Sequence, residues 1–275
     1  MTTTIALAGK GGTGKTTIAA MIIKYLVQTR GGSILAIDAD PSSNLNMVLG
    51  LELEWTIGDI REGLLEKVKE SLTAGGAAMG TVGGGMTKRE YLDYEVRAAV
   101  AEGSRFDLIA MGRPEGPGCY CAVNHNLREV VDSISRGYRY VVIDNEAGME
   151  HLSRRTSERI DDMLLVSDPS IRGLRSVGRI HELIRELKLD VARISLVLSR
   201  ASTPLPGVLE EEIRRLGLPW VGTVPADAEI EALDLARRPL TDLSDSSPAV
   251  LACEKILNSL LDSAVRSDRK LAVRP

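Results

Sequence analysis

The stretch Ala8-Gly9-Lys10-Gly11-Gly12-Thr13-Gly14-Lys15-Thr16-Thr17 decides the fold of this chain. It fits the pattern G-x-x-x-x-G-K-[ST], with Gly9, Gly14, Lys15 and Thr16 at the required positions. Residues 3–8, just before it, are β-branched or apolar as in a buried strand, and residues 17–29 have helical periodicity. A strand, a glycine-rich loop and a helix in this order predict a loop that binds phosphate groups.

Each part of this loop has a task in binding phosphate. Successive backbone N–H groups and the N-terminus of the helix turn toward a polyphosphate. Glycines at positions 11, 12 and 14 let the backbone take positive φ and approach the phosphates without a Cβ in the way. Lys15 is expected to reach the β- and γ-phosphates, and the Thr16 hydroxyl to bind Mg²⁺. The predicted phosphate-binding residues are Gly9, Lys10, Gly11, Gly12, Thr13, Gly14, Lys15, Thr16 and Thr17.

Lys10 narrows the family that this loop resembles. A second lysine beside the first glycine, followed by G-G-T-G-K-T-T, resembles the deviant P-loop ATPases. These include MinD, ParA, the arsenite and tail-anchor ATPases and the nitrogenase iron protein. The resemblance implies ATP or ADP with Mg²⁺ as cofactors, catalytic roles for Lys10 and Lys15, and a homodimer in which Lys10 reaches the partner's nucleotide. On spacing alone, Lys10 is equally consistent with a solvated loop residue.

Acidic residues follow two further apolar strands. Asp38 and Asp40 come after the second strand of the chain, and Asp144 ends the strand at 140–144. The carboxyl ends of parallel strands are where open α/β sheets bind ligands, and an aspartate there can reach Mg²⁺ through its water shell. The resemblance makes Asp40 the catalytic residue that positions the attacking water and places Asp38 near the metal. The predicted magnesium set is Thr16, Asp38, Asp40 and Asp144, with an Asx turn or a helix cap as the structural alternatives.

The stretch Gly112-Arg113-Pro114-Glu115-Gly116-Pro117-Gly118-Cys119-Tyr120-Cys121 carries two thiols just before a predicted helix at 122–135. A helix N-terminus lowers the pKa of a thiol, which favours the thiolate that binds metal. Two thiolates do not complete a tetrahedral site, but a two-fold dimer would supply four, suited to Zn²⁺ or Ni²⁺. We therefore predict Cys119 and Cys121 as metal ligands. The alternatives are that both cysteines are small buried hydrophobes, and that His125 is either a further ligand or a surface residue.

The rest of the chain alternates between predicted strands and helices. The predicted strands are 33–37, 106–111, 162–167, 194–198 and 220–224, and the predicted helices are 58–72, 88–101, 170–187, 207–216 and about 248–263. The glycine-rich stretch 73–86 is predicted to be a surface loop without regular structure. Repeated βα units predict an α/β fold with a mostly parallel, twisted sheet and helices on both faces.

Composition favours some classes of protein over others. Of the 275 residues 44% are hydrophobic but only 3% aromatic, which predicts an aliphatic core. A net charge of -4 and a pI near 5.6 argue against nucleic acid as the main partner. No apolar run approaches the roughly 20 residues of a membrane span, and three cysteines form no disulfide framework. We expect one cytoplasmic ATPase domain over residues 1–264 and a polar, basic tail over 265–275, without stable membrane association.

Two later segments are expected to contact the nucleotide base. Ser199-Arg200 lies where many members of the resembled family carry an asparagine that reads adenine, and Val224-Pro225-Ala226-Asp227 resembles their second base-contacting loop. The base-contacting residues implied by the resemblance are Ser199, Arg200, Pro225 and Asp227.

Taken together, the phosphate loop, the aspartates, the cysteine-bearing stretch and Asp144-Asn145-Glu146-Ala147-Gly148 resemble the CooC type of ATPase. Members of this type assist nickel insertion into carbon monoxide dehydrogenase, and relatives serve acetyl-CoA synthase. The resemblance implies an ATP hydrolase acting as a metallochaperone, with Ni²⁺ or Zn²⁺ shared between the Cys-x-Cys pairs of a nucleotide- and metal-dependent homodimer. Two other classes stay open: an electron-transfer ATPase with a dimer-bridging [4Fe–4S] cluster, and a partitioning module that acts through DNA or membrane.

Overall fold

A sheet of eight strands forms the centre of the molecule. The computed structural model describes residues 2–73, 81–82, 86–113, 121–146 and 159–271. Its strands are β1 (Thr3–Ala8), β2 (Ile34–Asp38), β3 (Thr81–Val82), β4 (Met86–Thr87), β5 (Ala101–Glu102), β6 (Asp107–Ala110), β7 (Tyr140–Asp144), β8 (Ile160–Ser167), β9 (Val191–Ser199) and β10 (Trp220–Val224). The order across the sheet is β10-β9-β8-β1-β7-β2-β6-β5. Among the described strands of this sheet, only β5 runs antiparallel to its neighbour, while β3 and β4 form a separate short antiparallel pair.

Helices cover both faces of the sheet. They are α1 (Lys15–Tyr25), α2 (Leu45–Leu49), α3 (Ile57–Thr73), α4 (Lys88–Ala98), α5 (Cys121–Ser135), α6 (Ile171–Glu186), α7 (Gly207–Leu216), α8 (Ala228–Leu235) and α9 (Pro248–Leu271). A π-helical turn, Leu26–Arg30, continues α1, and a 3₁₀ turn, Leu240–Asp242, precedes α9. In the described part of the chain, no helix combines the length and apolar character needed to cross a membrane.

Alternate residues of the central strands enter two different hydrophobic cores. In β1, Ile5 and Leu7 pack with α1, α2, α8 and α9, whereas Ala6 and Ala8 pack on the opposite face with helices α3 to α7. Both faces of the strand are therefore buried, as expected for a parallel sheet between two helical layers. The predicted fold class, a mostly parallel sheet with helices on both faces, is confirmed.

Several elements differ from the sequence prediction. Helix α1 begins at Lys15 rather than at residue 17, so the lysine and threonine of the motif lie in its first turn. Helix α9 continues to Leu271, beyond the predicted end near residue 263. The prediction of no regular structure over 73–86 is wrong at its end, where Thr81–Val82 pairs with Met86–Thr87. The prediction also lacked α2, α8 and β5, because elements this short are stabilised by tertiary packing rather than by a periodic pattern.

Candidate functional site

The glycine-rich loop after β1 wraps around the N-terminus of α1. Gly12 has φ 76° and Gly14 has φ 88°, left-handed conformations that favour glycine. Between them Thr13 is buried, and its hydroxyl donates a 2.8 Å hydrogen bond to the Lys10 carbonyl. Gly14 occupies the N-cap position of α1 and has no side chain that could cap the helix. The first N–H groups of α1 therefore receive no hydrogen bond from an N-cap side chain. The loop thus has the form of an anion-binding helix N-terminus.

The loop also packs closely on neighbouring strand ends. A Cβ added to Gly9 would lie 2.2 Å from the Val166 carbonyl oxygen, and one added to Gly14 would lie 2.8 Å from the Ser199 hydroxyl. Gly9 therefore requires glycine because a Cβ would meet backbone, whereas Gly14 requires glycine chiefly for its left-handed φ of 88°. These contacts fix the loop against the ends of β8 and β9.

Lys15 is buried beneath the loop with only 7% of its surface exposed. Its Nζ donates a 3.3 Å hydrogen bond to the Lys10 carbonyl. Burial lowers the pKa of Lys15, while the carboxylates of Asp144, Asp40 and Glu146 act in the opposite direction and favour the charged ammonium. The result is a cation held at the loop among acidic groups, where it can compensate the charge of bound phosphates.

Asp144 lies beside the first turn of α1. Its Oδ2 accepts a 2.6 Å hydrogen bond from the Thr16 hydroxyl, and the residue is 1% exposed. Burial raises the pKa of Asp144 to about 7; Asp38 and Asp40 add to the shift, and Thr16 and Lys15 oppose it. Its second oxygen, Oδ1, is buried without a hydrogen-bond partner among the described residues. A buried carboxylate with a free oxygen, next to a threonine hydroxyl, fits a Mg²⁺ site.

The described residues contain no group of three or more His, Cys, Asp or Glu side chains that could hold a metal ion by themselves. At a phosphate loop, Mg²⁺ keeps several waters and takes further ligands from substrate phosphates. Protein groups then need to supply only one or two contacts.

Asp38 organises the segment that follows β2. It is completely buried; its Oδ1 accepts a 3.0 Å hydrogen bond from the Asp40 N–H and its Oδ2 a 2.9 Å bond from the Leu45 N–H. Burial raises the pKa of Asp38, while these backbone donors act against the shift. Asp40 is half-buried, and its Oδ1 accepts hydrogen bonds from the N–H and the hydroxyl of Ser42. Asp38 thus shapes the loop that presents Asp40.

Sheet order brings these acidic groups to the phosphate loop. Strand β7 lies between β1 and β2, and Asp38 is paired in register with Asp144. The Ala39 N–H donates a 2.9 Å hydrogen bond to the Asp144 carbonyl, which links the two strand ends directly. The carboxyl ends of these central strands therefore bring together Lys15, Thr16, Asp38 and Asp144. The sequence predicted such a meeting at the carboxyl ends of parallel strands.

On the other side of β1, two residues at the end of β9 contact the loop. Ser199 packs against Gly14, and the Arg200 Nη2 donates a 2.6 Å hydrogen bond to the Gly12 carbonyl. Arg200 itself has φ 54°, a left-handed conformation that is unusual for an arginine. No sequence signal links Arg200 to Gly12, because the two residues are 188 positions apart.

Asp227 has a structural task that the sequence prediction missed. Its Oδ1 accepts a 3.0 Å hydrogen bond from the Glu229 N–H and so caps α8. Its Oδ2 accepts hydrogen bonds from the Ser247 hydroxyl, at 2.6 Å, and from the Ala249 N–H, at 3.2 Å. The carboxylate therefore ties the start of α8 to the start of α9. An aspartate immediately before a helix is the signal that indicates such a cap. The base contacts of Pro225 and Asp227 remain a prediction.

The metal-ligand prediction concerns a part of the chain that the structure does not fully describe. Cys119 lies outside the described residues, and Cys121 is the first residue of α5. His125 is exposed on α5, with its Nε2 3.4 Å from a Glu129 carboxylate oxygen.

Cys253 is buried, and burial raises the pKa of its thiol to about 12, which agrees with the prediction that it is a core residue. Lys10 is exposed, so its side chain is accessible to a partner.

Comparisons with known proteins show which family this chain resembles. Residues 4–240 match the family model described as the CobQ/CobB/MinD/ParA nucleotide binding domain. An uncharacterized ATP-binding protein of Methanocaldococcus jannaschii is 39% identical over 94% of this chain and 98% of its own length. The carbon monoxide dehydrogenase accessory protein CooC of Rhodospirillum rubrum is 29% identical over 90% of this chain and 94% of its length. The crystal structure of a ParA family ATPase from Chlorobium tepidum has a TM-score of 0.68 at 20% identity, covering 93% of this chain and 98% of that one.

Proposed function

The chain belongs to the CobQ/CobB/MinD/ParA family of nucleotide-binding domains. We propose that it is an Mg-ATP-dependent, homodimerising ATPase that assists nickel insertion. The clients we propose are carbon monoxide dehydrogenase or the related acetyl-CoA synthase. The observation that carries the ATPase part is the meeting of Lys15, the Thr16–Asp144 pair and Asp40 at the phosphate loop. The proposal for nickel rests on the Cys119-x-Cys121 sequence together with the relative named CooC.

In the proposed hydrolysis, water attacks the γ-phosphorus of ATP while the bond to the oxygen bridging the β- and γ-phosphates breaks. Lys15 compensates the phosphate charge from beneath the loop, and the loop's N–H groups hold the phosphates in place. Asp40 orients the attacking water. Thr16 and Asp144 would hold Mg²⁺, with Asp38 supporting the loop beside them. When bound, the metal would neutralise charge on the phosphates.

The dimer part of the proposal concerns Lys10 and the cysteines. Lys10 is exposed at the tip of the phosphate loop, where a second chain can approach it. Two thiols per chain are too few for a closed tetrahedral site, so four-coordinate Zn²⁺ or Ni²⁺ needs Cys119 and Cys121 from two chains. Because ATP and metal would both favour the paired state, each is expected to strengthen the binding of the other.

Metal content and mass, measured with and without a non-hydrolysable ATP analogue, test this proposal. We expect about one Zn²⁺ or Ni²⁺ per two chains and a dimer that strengthens with nucleotide. Cys119→Ala or Cys121→Ala removes half of the four ligands, so either change should abolish tight metal binding. Cys253→Ser is the matched control, because this thiol is buried in the core. It should leave the metal stoichiometry unchanged.

Two results would contradict the shared metal site. One is a full metal ion per monomer, and the other is metal retained by the double variant Cys119→Ala, Cys121→Ala. A brown protein with iron and acid-labile sulfide would instead favour the electron-transfer class, because four adjacent thiolates can also hold a [4Fe–4S] cluster. If the protein hydrolysed ATP but bound no metal through its cysteines, the ATPase proposal would be supported and the nickel proposal would be contradicted.

A further inference from the structure

The peptide group between Gly12 and Thr13 is held at both of its ends. Its carbonyl oxygen accepts a 2.6 Å hydrogen bond from Arg200 Nη2. Its N–H, which belongs to Thr13, donates a 3.3 Å hydrogen bond to the Lys10 carbonyl. Because the C=O and N–H of a trans peptide point in opposite directions, these two bonds together fix the orientation of the peptide plane.

The two ends of this peptide differ in what else restrains them. Thr13 is 1% exposed, and its hydroxyl donates a further bond to the Lys10 carbonyl at 2.8 Å, so its side chain anchors the Thr13 end. Gly12 has no side chain, and a Cβ built on it would have nothing within 4 Å. Glycine also adopts positive and negative φ about equally well. Among the described residues, the bond from Arg200 is therefore what holds the Gly12 carbonyl in place.

Arg200 reaches the loop from a closely packed strand end. Ser199, the last residue of β9, is 5% exposed, and its hydroxyl would lie 2.8 Å from a Cβ at Gly14. Arg200 follows with φ 54° and an exposed side chain, and no carboxylate is paired with it in the part of the chain that the structure describes. Its charged donor is thus available to a neutral carbonyl, and hydrogen bonds from a charged donor are stronger than those between neutral groups.

The orientation of this peptide matters for binding an anion. Phosphate loops bind through N–H groups that face the phosphates, and a carbonyl oxygen turned toward the same place repels them. We propose that Arg200 is a positioning residue, which keeps the Gly12 carbonyl at the rim of the loop and so orders the loop before the nucleotide arrives. This inference rests on the proposed binding of ATP. Arg200 acts through the loop and needs no contact with the nucleotide itself.

Amide hydrogen exchange of the nucleotide-free protein, followed by NMR, tests the ordering of the loop. In Arg200→Ala the peptide loses the bond on its carbonyl, so the Thr13 amide should exchange about tenfold faster or more. The Leu196 amide of β9, which donates a 2.8 Å hydrogen bond to the Pro219 carbonyl, should keep its wild-type rate. A change at Thr13 alone distinguishes a local loss of order from a general loss of stability.

Calorimetric titration with ADP and Mg²⁺ tests the consequence for binding. Arg200→Ala should bind ADP about tenfold more weakly, because the loop must then be ordered at the moment of binding. Arg200→Lys keeps a long cationic donor at the same place and should recover part of both the exchange protection and the affinity. Arg237→Ala is the matched control, because Arg237 is also exposed with φ 54° but follows α8. It should change neither the exchange of Thr13 nor the affinity for ADP.

Several results in Arg200→Ala would overturn the proposal. Weaker ADP binding with unchanged Thr13 exchange would assign the side chain to a direct contact with the base or the phosphates. Equal acceleration at Thr13 and Leu196 would assign it to general stability. Unchanged ADP affinity, with or without faster exchange at Thr13, would show that the bond to Gly12 has no effect on binding. A wild-type protein that binds no ADP would instead overturn the proposed function, while the exchange of Thr13 would still report whether Arg200 orders the loop.

Discussion

The Thr16 hydroxyl donates a 2.6 Å hydrogen bond to Asp144 Oδ2, which joins the first turn of α1 to the end of β7 across 128 positions of sequence. The other carboxylate oxygen is buried without a partner among the described residues. An unpaired buried acceptor costs stability. Binding of Mg²⁺ and its waters would supply the missing contact of this Asp144 oxygen and so offset the cost.

Asp144→Asn should change how the stability of the nucleotide-free protein depends on pH. The pKa of Asp144 is raised from 3.8 to about 7 in the folded state, chiefly by burial. Between these values the folded protein binds more protons than the unfolded chain, so this carboxyl's contribution to stability is lost as pH rises through about 7. The asparagine has no proton to lose, and its advantage over wild type should grow by about 1–3 kcal/mol between pH 5 and pH 8.

Thermal unfolding of both proteins in EDTA at several pH values measures this difference. The same variant should lose Mg²⁺-dependent ATP hydrolysis by about a hundredfold or more, because a neutral amide no longer attracts the ion. Parallel stability curves for the two proteins from pH 5 to pH 8 would show that Asp144 does not titrate as its burial indicates.

Lys15→Ala and Lys10→Ala should separate binding from cross-chain catalysis. Lys15 is buried under the loop at which we propose that the phosphates bind, so its loss should weaken ATP binding by about a hundredfold or more. Lys10 is exposed, so a single chain lacking its side chain should keep nucleotide affinity within a few-fold. We expect Lys10→Ala to lose ATPase activity and nucleotide-driven dimerisation. Fluorescent-nucleotide binding and sedimentation measure the two properties, and full activity in Lys10→Ala would remove its role across the interface.

Asp40→Ala should bind ATP but not turn it over. Asp40 is half-buried and holds no bond to the phosphate loop, so its removal leaves the nucleotide cradle intact. A group that positions the attacking water acts on the chemical step rather than on nucleotide binding. We therefore expect a loss of about a hundredfold or more in kcat with little change in affinity. Ser42→Ala is the control, because it keeps the Asp40 carboxylate and removes only the hydroxyl that donates to it and accepts from Asn44 Nδ2. Wild-type turnover in Asp40→Ala would show that another group positions the water.

The sequence predicts the fold, and the meeting of the phosphate loop with the aspartate-bearing strand ends, because both depend on local patterns. The motif at Gly9–Thr16 and the apolar strands ending in aspartate each occupy a short stretch, and parallel strand order brings their ends together. The contacts of Arg200 with Gly12 and of Asp227 with Ser247 depend instead on how distant segments pack. Long-range hydrogen bonds between single polar residues leave no periodic signal, so they follow only from the structure.

A last prediction compares two glycines of the phosphate loop. Gly9 lies so close to β8 that a Cβ would meet the Val166 carbonyl oxygen at 2.2 Å, well inside van der Waals contact. The added methyl must displace the backbone of the loop or of the strand, so Gly9→Ala should destabilise the fold by about 2–4 kcal/mol and abolish nucleotide binding. Gly12 has φ 76° but open space around its Cβ position. Gly12→Ala therefore carries only the left-handed strain of about 1–2 kcal/mol.

Chemical denaturation of both variants measures the loss of stability. Nucleotide titration in buffer without denaturant measures the loss of binding separately. Gly12→Ala should fold and bind nucleotide with reduced affinity. Gly12→Asn should bind nucleotide more tightly than Gly12→Ala, because asparagine tolerates the left-handed conformation better than alanine. No such recovery is open to Gly9, where the obstacle is the carbonyl of Val166 rather than the backbone angle. If Gly9→Ala proved as stable as Gly12→Ala, the close packing of the loop on β8 would not be what holds the phosphate cradle in place.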